Sequence, residues 1–118
     1  MNWAFLLLDL LIPALLIVFG ITSKKIAEGP INFWIGYRTS RSTASREAWE
    51  FANLTMGRVM LREGIVEIFV SLIFGLLAFF LCTVEVQGTV TVLLELVQVL
   101  TLVAAIPWME EQLKKRFE

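Results

Sequence analysis

The sequence predicts an all-α membrane protein with three transmembrane helices. Apolar segments at about residues 3–21, 64–84 and 88–108 are each near the ~20 residues that a helix needs to cross a bilayer. The chain of 118 residues is 58% hydrophobic and only 18% charged, and its mean hydropathy is +0.77. All ten Lys and Arg lie in residues 22–63 or in the tail, 109–118. These observations predict a single membrane domain, residues 1–118, whose two basic regions share the cytoplasmic side.

A soluble helical bundle is the alternative fold, and the composition argues against it. A soluble helix needs polar residues that recur at every turn. The stretch from Leu72 to Val84 offers only Cys82 and Thr83 as weakly polar side chains. Cys82 is the only cysteine and histidine is absent, so we expect no disulfide, no metal site and no cofactor. As a lone thiol on an apolar helix, Cys82 is expected to serve packing.

The first predicted span, residues 3–21, is interpreted as a retained helix and not as a signal peptide. No basic residue precedes it, it carries Asp9, and Lys24 and Lys25 follow it. Pro13 near its middle removes one backbone donor and favours a kink. Because the basic residues follow the first and third spans, we expect the N-terminus outside the cell and the C-terminus in the cytoplasm.

Residues 22–63 are expected to form a cytoplasmic surface loop and an amphipathic helix. Phe33, Trp34, Ile35 and Tyr37 form a largely aromatic cluster suited to the lipid headgroup region. The helix that follows has three candidate N-terminal caps: Ser42, Thr43 and Ser45.

From Arg46 to Val84 the chain contains no proline. Two forms fit this pattern: one long helix, or a surface helix that bends near Gly57 or Gly64 into the second span. Small and polar residues recur along one face at a spacing of three or four, a pattern that lets another helix approach closely. They are Asn53, Gly57, Met60, Gly64, Glu67, Ser71 and Gly75.

The third span is expected to close at Pro107 and Trp108. The tail, residues 109–118, then forms a short helix in which Leu113 and Phe117 lie four residues apart and touch the membrane surface.

Asp9 and Glu95 are the first candidate functional residues within the bundle. Each lies about three residues to the outer side of its span's centre, or ~4.5 Å along a helix, so the carboxyls are expected to meet at one depth, directly or through water. No Lys or Arg lies in the outer half of the spans, and an ionised carboxylate there costs roughly 2.5–3.5 kcal/mol. We therefore expect at least one carboxyl to be protonated at neutral pH. Two interpretations remain open: a proton or cation site, or a protonated pair that joins the helices with the help of Gln98.

Glu67 is a third intramembrane acid, four residues from Glu63 near the inner end of the second span. We expect Glu67 to pair with Arg38 and hold the loop against the bundle, because buried acids usually persist when they are paired. A transport role is the alternative.

The run 38–46 combines arginines with serines and threonines directly before a helix start. Guanidinium forks, free backbone amides and the helix dipole suit a phosphate or a carboxylate there, such as a lipid headgroup or an acidic partner. Simple anchoring at the cytoplasmic membrane surface explains the same residues.

Several of these residues together resemble a known family. The pattern is Asn32, then Gly36-Tyr37-Arg38-Thr39, Ser42, Trp49, Ala52-Asn53 and Gly57, with a closing Glu111-x-Leu113-Lys114-Lys115-x-Phe117. It resembles the SdpI family of small bacterial membrane proteins. The resemblance implies residence in the bacterial cytoplasmic membrane and, as in the best-known member, immunity to a secreted toxin coupled to signalling through a repressor held at the membrane. That member has additional spans before the shared domain.

Three functions follow as hypotheses. The first is an immunity-type binding protein, without enzymatic activity, that engages a membrane-active peptide toxin or a cytoplasmic regulator and makes no direct contact with nucleic acid. Its candidate binding residues are Asn32, Gly36, Tyr37, Arg38, Thr39, Arg41, Ser42, Trp49 and Asn53. The second is a small proton- or cation-coupled transporter that uses Asp9, Glu67 and Glu95; it admits a homo-oligomer, because three helices barely enclose a path. The third is an enzyme on lipid phosphates or a protein that only binds them, because the loop offers binding groups but no evident nucleophile or base.

Overall fold

The computed structural model describes residues 2–32 and 34–118. These residues form three α-helices and no strand: α1 (Trp3–Glu28), α2 (Arg46–Leu81) and α3 (Val84–Phe117). Each helix is long and apolar enough to cross a membrane. The predicted fold class is confirmed. The part of the predicted aromatic cluster contributed by Phe33 lies outside the described residues.

Helix α1 begins at Trp3, where the Asn2 side chain accepts a hydrogen bond from the Ala4 amide at 2.9 Å. Pro13 lies inside the helix and does not end it. The helix continues to Glu28, past the predicted end of the apolar span at residue 21, so its last two turns are basic and polar. It ends where the Gly29 amide donates to two carbonyls of the last turn, at 3.0 and 3.2 Å.

Helix α2 is a single helix of 36 residues, which is the first of the two predicted forms. Of the three candidate caps, Ser45 is the one used: its hydroxyl accepts from the Ala48 amide at 3.0 Å. Glu47 lies in the first turn, where the helix dipole favours a negative charge. Residues 46–63 are therefore the first half of α2 and not a separate surface helix.

Helix α3 starts directly after α2, since Cys82 and Thr83 alone join them. It passes through Pro107 and ends at Phe117. The tail therefore continues α3 and does not form the separate short helix that was expected. Of the two tail residues expected at the membrane surface, Leu113 is buried and Phe117 is exposed. Proline removes only one backbone donor, and beyond it Met109 and Leu113 are fully packed in the core cluster of the protein.

The stripe of small residues on α2 is where α1 packs. A Cβ added at Gly57 would lie 1.9 Å from the Ser23 hydroxyl oxygen, and one added at Gly20 would lie 2.6 Å from Leu61 Cβ. No side chain fits in that space, so the two backbones approach directly. The prediction that this face receives another helix is confirmed.

The bundle is apolar outside and polar inside over its membrane-spanning part. Leu7, Phe69 and Leu100 are each more than half exposed. Buried polar side chains include Asp9, Ser71 and Gln98, each with at most 2% of its surface exposed. In lipid an apolar exterior costs nothing, while polar groups must find partners between the helices.

The two ends of the bundle differ. At one end the Asn2 amide donates to Gln87 Oε1 at 3.1 Å, and Gln87 Nε2 donates to the Asn2 carbonyl at 3.0 Å, which ties the starts of α1 and α3 together. At the other end the long connection between α1 and α2 folds over the helices. There Tyr37, Ala52, Met56 and Met109 belong to one buried cluster.

Candidate functional site

The motif residues of the loop meet the start of α2 and the end of α3, and we call this region the rim: residues 29–32 and 34–45, with Trp49, Asn53 and Glu110. Asn53 is its anchor. It is fully buried, its Oδ1 accepts from the Tyr37 amide at 2.8 Å, and its Nδ2 donates to the Trp49 carbonyl one helical turn earlier at 3.0 Å. The amide side chain thus joins the loop to α2.

Gly36 has the only positive φ among the described residues, +105°. An L side chain rarely adopts this conformation. A Cβ at this position would also lie 2.7 Å from Asn53 Oδ1 and 3.1 Å from Trp49 Cη2. Trp49 is fully buried, and its indole nitrogen donates to the Ile26 carbonyl at 3.1 Å, near the end of α1. Gly36 therefore allows the loop to pack closely against α2, and Trp49 joins α2 to the end of α1.

Glu110 of α3 joins the rim from the other side. The Tyr37 hydroxyl donates to Glu110 Oε2 at 2.5 Å, and the Thr39 hydroxyl donates to the same oxygen at 2.9 Å. Burial, and then the hydrogen bond to this carboxylate, raise the pKa of the Tyr37 phenol above its ordinary value. Tyr37 therefore stays neutral and connects three elements: the loop, α2 through Asn53, and α3 through Glu110.

Ser42 organises the turn that follows. Its hydroxyl is fully buried, accepts from the Thr39 amide at 2.7 Å and donates to the Tyr37 carbonyl at 3.0 Å. The Thr39 hydroxyl in turn accepts from the Ser42 amide at 3.1 Å. These reciprocal bonds satisfy the backbone of a loop that has no regular secondary structure.

The arginines of the run 38–46 have three different surroundings. Arg41 donates to Glu118 at 2.9 Å and lies 3.6 Å from the Glu110 carboxylate. Arg46 donates to the Ala27 and Gly29 carbonyls at the end of α1, where a positive charge is favourable. Arg38 is exposed and, among the described residues, forms no ion pair and no side-chain hydrogen bond. Of the three, Arg38 alone is free to meet a ligand.

Arg38 borders a cleft of about 610 Å³. Its lining is Ile31, Asn32, Arg38, Thr39, Ser40 and Thr43. Beside the cleft, Trp34 is 90% exposed and Ile35 is 55% exposed. The loop therefore exposes one guanidinium, with the hydroxyl residues of the cleft and two apolar side chains within five residues of it.

The expected cluster of Asn32, Tyr37, Arg38 and Asn53 forms only in part. Tyr37 and Asn53 meet as predicted. Asn32 instead makes a local turn, in which its Oδ1 accepts from the Trp34 and Ile35 amides at 2.9 and 2.8 Å. Arg38 is exposed and lines the cleft together with Asn32, and it forms no hydrogen bond with the buried pair.

A second group of predicted residues lies inside the bundle. We call it the polar file: Asp9 of α1; Glu63, Glu67 and Ser71 of α2; and Thr91, Glu95, Gln98 and Thr101 of α3. Asp9 and Glu67 are the carboxylates whose charges act on Glu95. A hydrogen bond between Asp9 and Glu95, direct or through water, needs a proton on one of the two carboxyls and stays a prediction.

Gln98, expected to assist Glu95, contacts other groups. Its Nε2 donates to the Asp9 backbone carbonyl at 3.0 Å and to the Ser71 hydroxyl oxygen at 2.9 Å. One amide therefore joins all three helices near the middle of the membrane-spanning part.

Glu67 does not pair with Arg38, contrary to expectation. Its Oε1 accepts from the Thr101 hydroxyl at 2.7 Å, inside the bundle. The ion pairs of the described residues involve only Arg41, Lys115 and acids near the end of α3. Arg38 cannot reach Glu67 because the loop turns its side chain outward, and Glu67 lies about 14 residues, or ~21 Å, along α2 from Asn53.

Sequence reasoning did not identify Glu110 as a residue of the site. Glu110 lies among charged tail residues, and no local pattern separates it from Glu111, which faces solvent. Thr91, Ser71 and Thr101 were not assigned to the interior site either. Their spacing of three or four from other polar residues on the same helix is the signal that could have located them.

A family model described as the SdpI/YfhL protein family matches residues 29–109. Searches of curated proteins and of solved structures each found no match. The matched range contains the loop, the whole of α2 and α3 as far as Met109, and so includes every residue of the rim except Glu110. Since the match covers more than half of a chain with three membrane-spanning helices, this multi-pass membrane protein belongs to the SdpI/YfhL family.

Proposed function

We propose that this protein is a binding protein of the immunity type in the bacterial cytoplasmic membrane, and that its rim engages a membrane-active peptide toxin. A cytoplasmic regulator bound to the same surface is the alternative partner. The observation that carries the proposal is the contrast between buried and exposed residues of the loop and its motif. Tyr37, Ser42 and Asn53 are buried, and their polar groups hold the loop by hydrogen bonds. Arg38 and Trp34 are exposed.

The chemistry of the exposed part suits recognition. Arg38 offers a forked, permanently charged donor for a carboxylate or a phosphate. Trp34 and Ile35 offer apolar area beside it. Arg and Trp are the residue types that most often dominate binding energy at protein interfaces. A loop held by buried hydrogen bonds also loses little conformational entropy on binding.

We propose no enzymatic role and no direct contact with nucleic acid. The rim supplies groups that bind and orient, and the hydroxyls of Thr39 and Ser42 are engaged in hydrogen bonds within the loop and with Glu110. A lipid phosphate at Arg38 is the competing ligand, because the same guanidinium suits both and Trp34 suits the headgroup region. Membrane lipids contact the apolar exterior in either case, and a homo-oligomer is compatible with this role.

The proposal is tested in a bacterium sensitive to a panel of membrane-active peptides. We expect the wild-type chain to protect the cells. Arg38→Ala and Trp34→Ala should each lower, at least several-fold, the highest peptide concentration at which the cells still grow. Arg62→Ala is the matched control, since Arg62 is an exposed arginine on α2 away from the cleft. Membrane levels of each variant are compared by immunoblot.

Three outcomes count against the proposal. Wild type that protects against no peptide in the panel contradicts the toxin-binding role. Protection retained by both Arg38→Ala and Trp34→Ala at equal membrane levels moves the binding surface away from the rim. Protection lost with Glu95→Gln alone places the activity in the bundle interior.

A further inference from the structure

The described residues contain six buried side-chain oxygens with no hydrogen-bond partner, and all six belong to the polar file. They are Asp9 Oδ1, Glu63 Oε2, Glu67 Oε2, Thr91 Oγ1, Glu95 Oε1 and Gln98 Oε1. Buried polar atoms of native proteins are nearly always paired, and a concentration of exceptions calls for a cause. Asp9 and Gln98 are 1% and 2% exposed, so bulk water does not supply their partners.

Five of the six unpaired atoms can only accept a hydrogen bond, and the sixth, the Thr91 hydroxyl, lies within reach of Asp9. Both amide hydrogens of Gln98 are already donated, to the Asp9 carbonyl and to Ser71. The Thr101 hydroxyl is already donated to Glu67 or to the Gln98 carbonyl. The hydroxyls of Thr91 and Ser71 therefore offer two hydrogens to five acceptor oxygens, and the file is short of donors.

The file is also short of positive charge. The carboxylates whose charges act on Glu95 are Asp9 from α1 and Glu67 from α2, and the one that acts on Glu63 is Glu67. No lysine or arginine occurs between residues 63 and 113 or before residue 24. Ionised carboxylates in this surrounding would repel one another and would each cost several kcal/mol of desolvation.

A proton on a carboxyl group meets both needs, because it removes a charge and creates an O–H donor. A metal ion is the other species that unpaired oxygen atoms bind, but the arrangement of these atoms does not favour one. No group of three or more candidate ligands converges on a point among the described residues. Thr91, Glu95, Gln98 and Thr101 instead follow one another along about ten residues of α3, or ~15 Å of helix axis.

We propose that the polar file is a proton-binding site, in which the carboxyl groups of Asp9, Glu67 and Glu95 hold exchangeable protons inside the bundle at neutral pH. This site is separate from the rim and does not depend on the function proposed for it. The protons complete the hydrogen bonding of the file and reach the aqueous phase through its successive oxygen atoms.

Infrared difference spectroscopy of the full-length chain in liposomes tests the proposal, because the carbonyl stretch of a carboxylic acid is distinct from that of a carboxylate. We expect a carboxylic acid band at neutral pH that shifts in heavy water and declines as the pH is raised. Asp9→Asn and Glu95→Gln should each remove roughly a quarter to a third of the band, since three or all four of the carboxyls of the file share it. Glu85→Gln, at an exposed acid of the first turn of α3, should leave the band unchanged.

Several results would overturn the proposal. They are a wild-type spectrum without a carboxylic acid band, a band that does not shift in heavy water, and a band of full size in both Asp9→Asn and Glu95→Gln. Loss of the band on adding sodium at constant pH would assign the file to a metal cation instead. The wild-type measurements decide the matter even if Asp9→Asn fails to fold, and circular dichroism monitors the helical content of each variant.

Discussion

At the scale of single residues, Tyr37 has the greatest number of distinct roles in the rim. Its amide, carbonyl and hydroxyl are bound by Asn53, Ser42 and Glu110, which belong to α2, the loop and α3. Removing one partner from such a network leaves buried polar groups unpaired, which costs ~1–3 kcal/mol for each group. Tyr37 and its partners therefore act as structural residues of the motif, whereas Arg38 is exposed.

Tyr37 is the only tyrosine of the chain, so its titration can be followed directly by ultraviolet absorbance. Burial and the Glu110 carboxylate raise its pKa in the folded state above the ordinary ~10. We expect no tyrosinate in the folded protein at a pH where the protein unfolded in denaturant is largely ionised. Glu110→Gln should lower the pKa of Tyr37, because the negative charge is removed while an acceptor remains.

The same shift has a consequence for stability. A group whose pKa is raised by folding contributes stability that is complete below its unfolded pKa and is lost as the pH rises toward the folded pKa. The free energy of unfolding should therefore fall above about pH 10, and it should fall less in Glu110→Gln. A Tyr37 that ionises at the same pH in the folded and unfolded protein would contradict this account of the rim.

At the scale of elements, the contact between α1 and α2 depends on glycines, which have no side chain. Ser23 faces Gly57, and its hydroxyl donates to the Gly20 carbonyl at 2.8 Å, one turn earlier in α1. Without a hydrophobic driving force between helices in lipid, close packing of this kind supplies much of the attraction. The glycines of α2 thus determine where α1 lies, and α1 in turn carries Asp9 to the polar file.

Gly57→Ala should destabilise the protein by roughly 1–3 kcal/mol, because the new methyl group overlaps Ser23 and forces the helices apart. The double variant Ser23→Gly with Gly57→Ala should recover part of the loss, since it moves the side chain from one helix to the other. Thermal unfolding in detergent, followed by circular dichroism, measures both. Gly88→Ala is the control, because the nearest neighbour of a Cβ added at Gly88 is the edge of the Phe5 ring, at 3.3 Å. Equal stability of Gly57→Ala and wild type would show that this contact is not tight.

At the scale of the whole molecule, the helices are longer than a membrane is thick. Helix α2 has 36 residues and α3 has 34, or ~54 and ~51 Å, against a hydrocarbon core of ~30 Å. All ten Lys and Arg lie toward the end of the bundle that carries the rim. By the positive-inside rule we expect the rim to project into the cytoplasm and the Cys82 turn to lie outside.

Cysteine labelling in intact cells tests this orientation. Cys82 is exposed and should react with a membrane-impermeant maleimide added from outside. A cysteine introduced as Thr43→Cys in a Cys82→Ser background should react only after the membrane is permeabilised. Labelling of position 43 from outside, or protection of Cys82 until permeabilisation, would reverse the orientation.

The sequence by itself determined the fold class, the presence of the three helices and the family. Hydropathy and length identify membrane-spanning helices well because lipid leaves the backbone no alternative to the helix. The stripe of small residues on α2 likewise indicated a close helix contact, since spacing alone places residues on one face. The motif that includes Tyr37 and Asn53 indicated where the rim lies.

The tertiary structure alone decided which charged residues are engaged and which are free. Arg38, Arg41 and Arg46 are alike in sequence, but only the fold of the loop directs one to Glu118, one to the end of α1 and one to solvent. Helix ends were equally undetermined, since packing of Met109 and Leu113 carries α3 past Pro107. Asp9 and Glu95 were expected at one depth, but depth does not set rotation about the helix axis. The rotation of α1 is set by the contacts of Asp9 with Gly75 and with Gln98. Interior packing is close, so each position accepts only a side chain that fits among its neighbours.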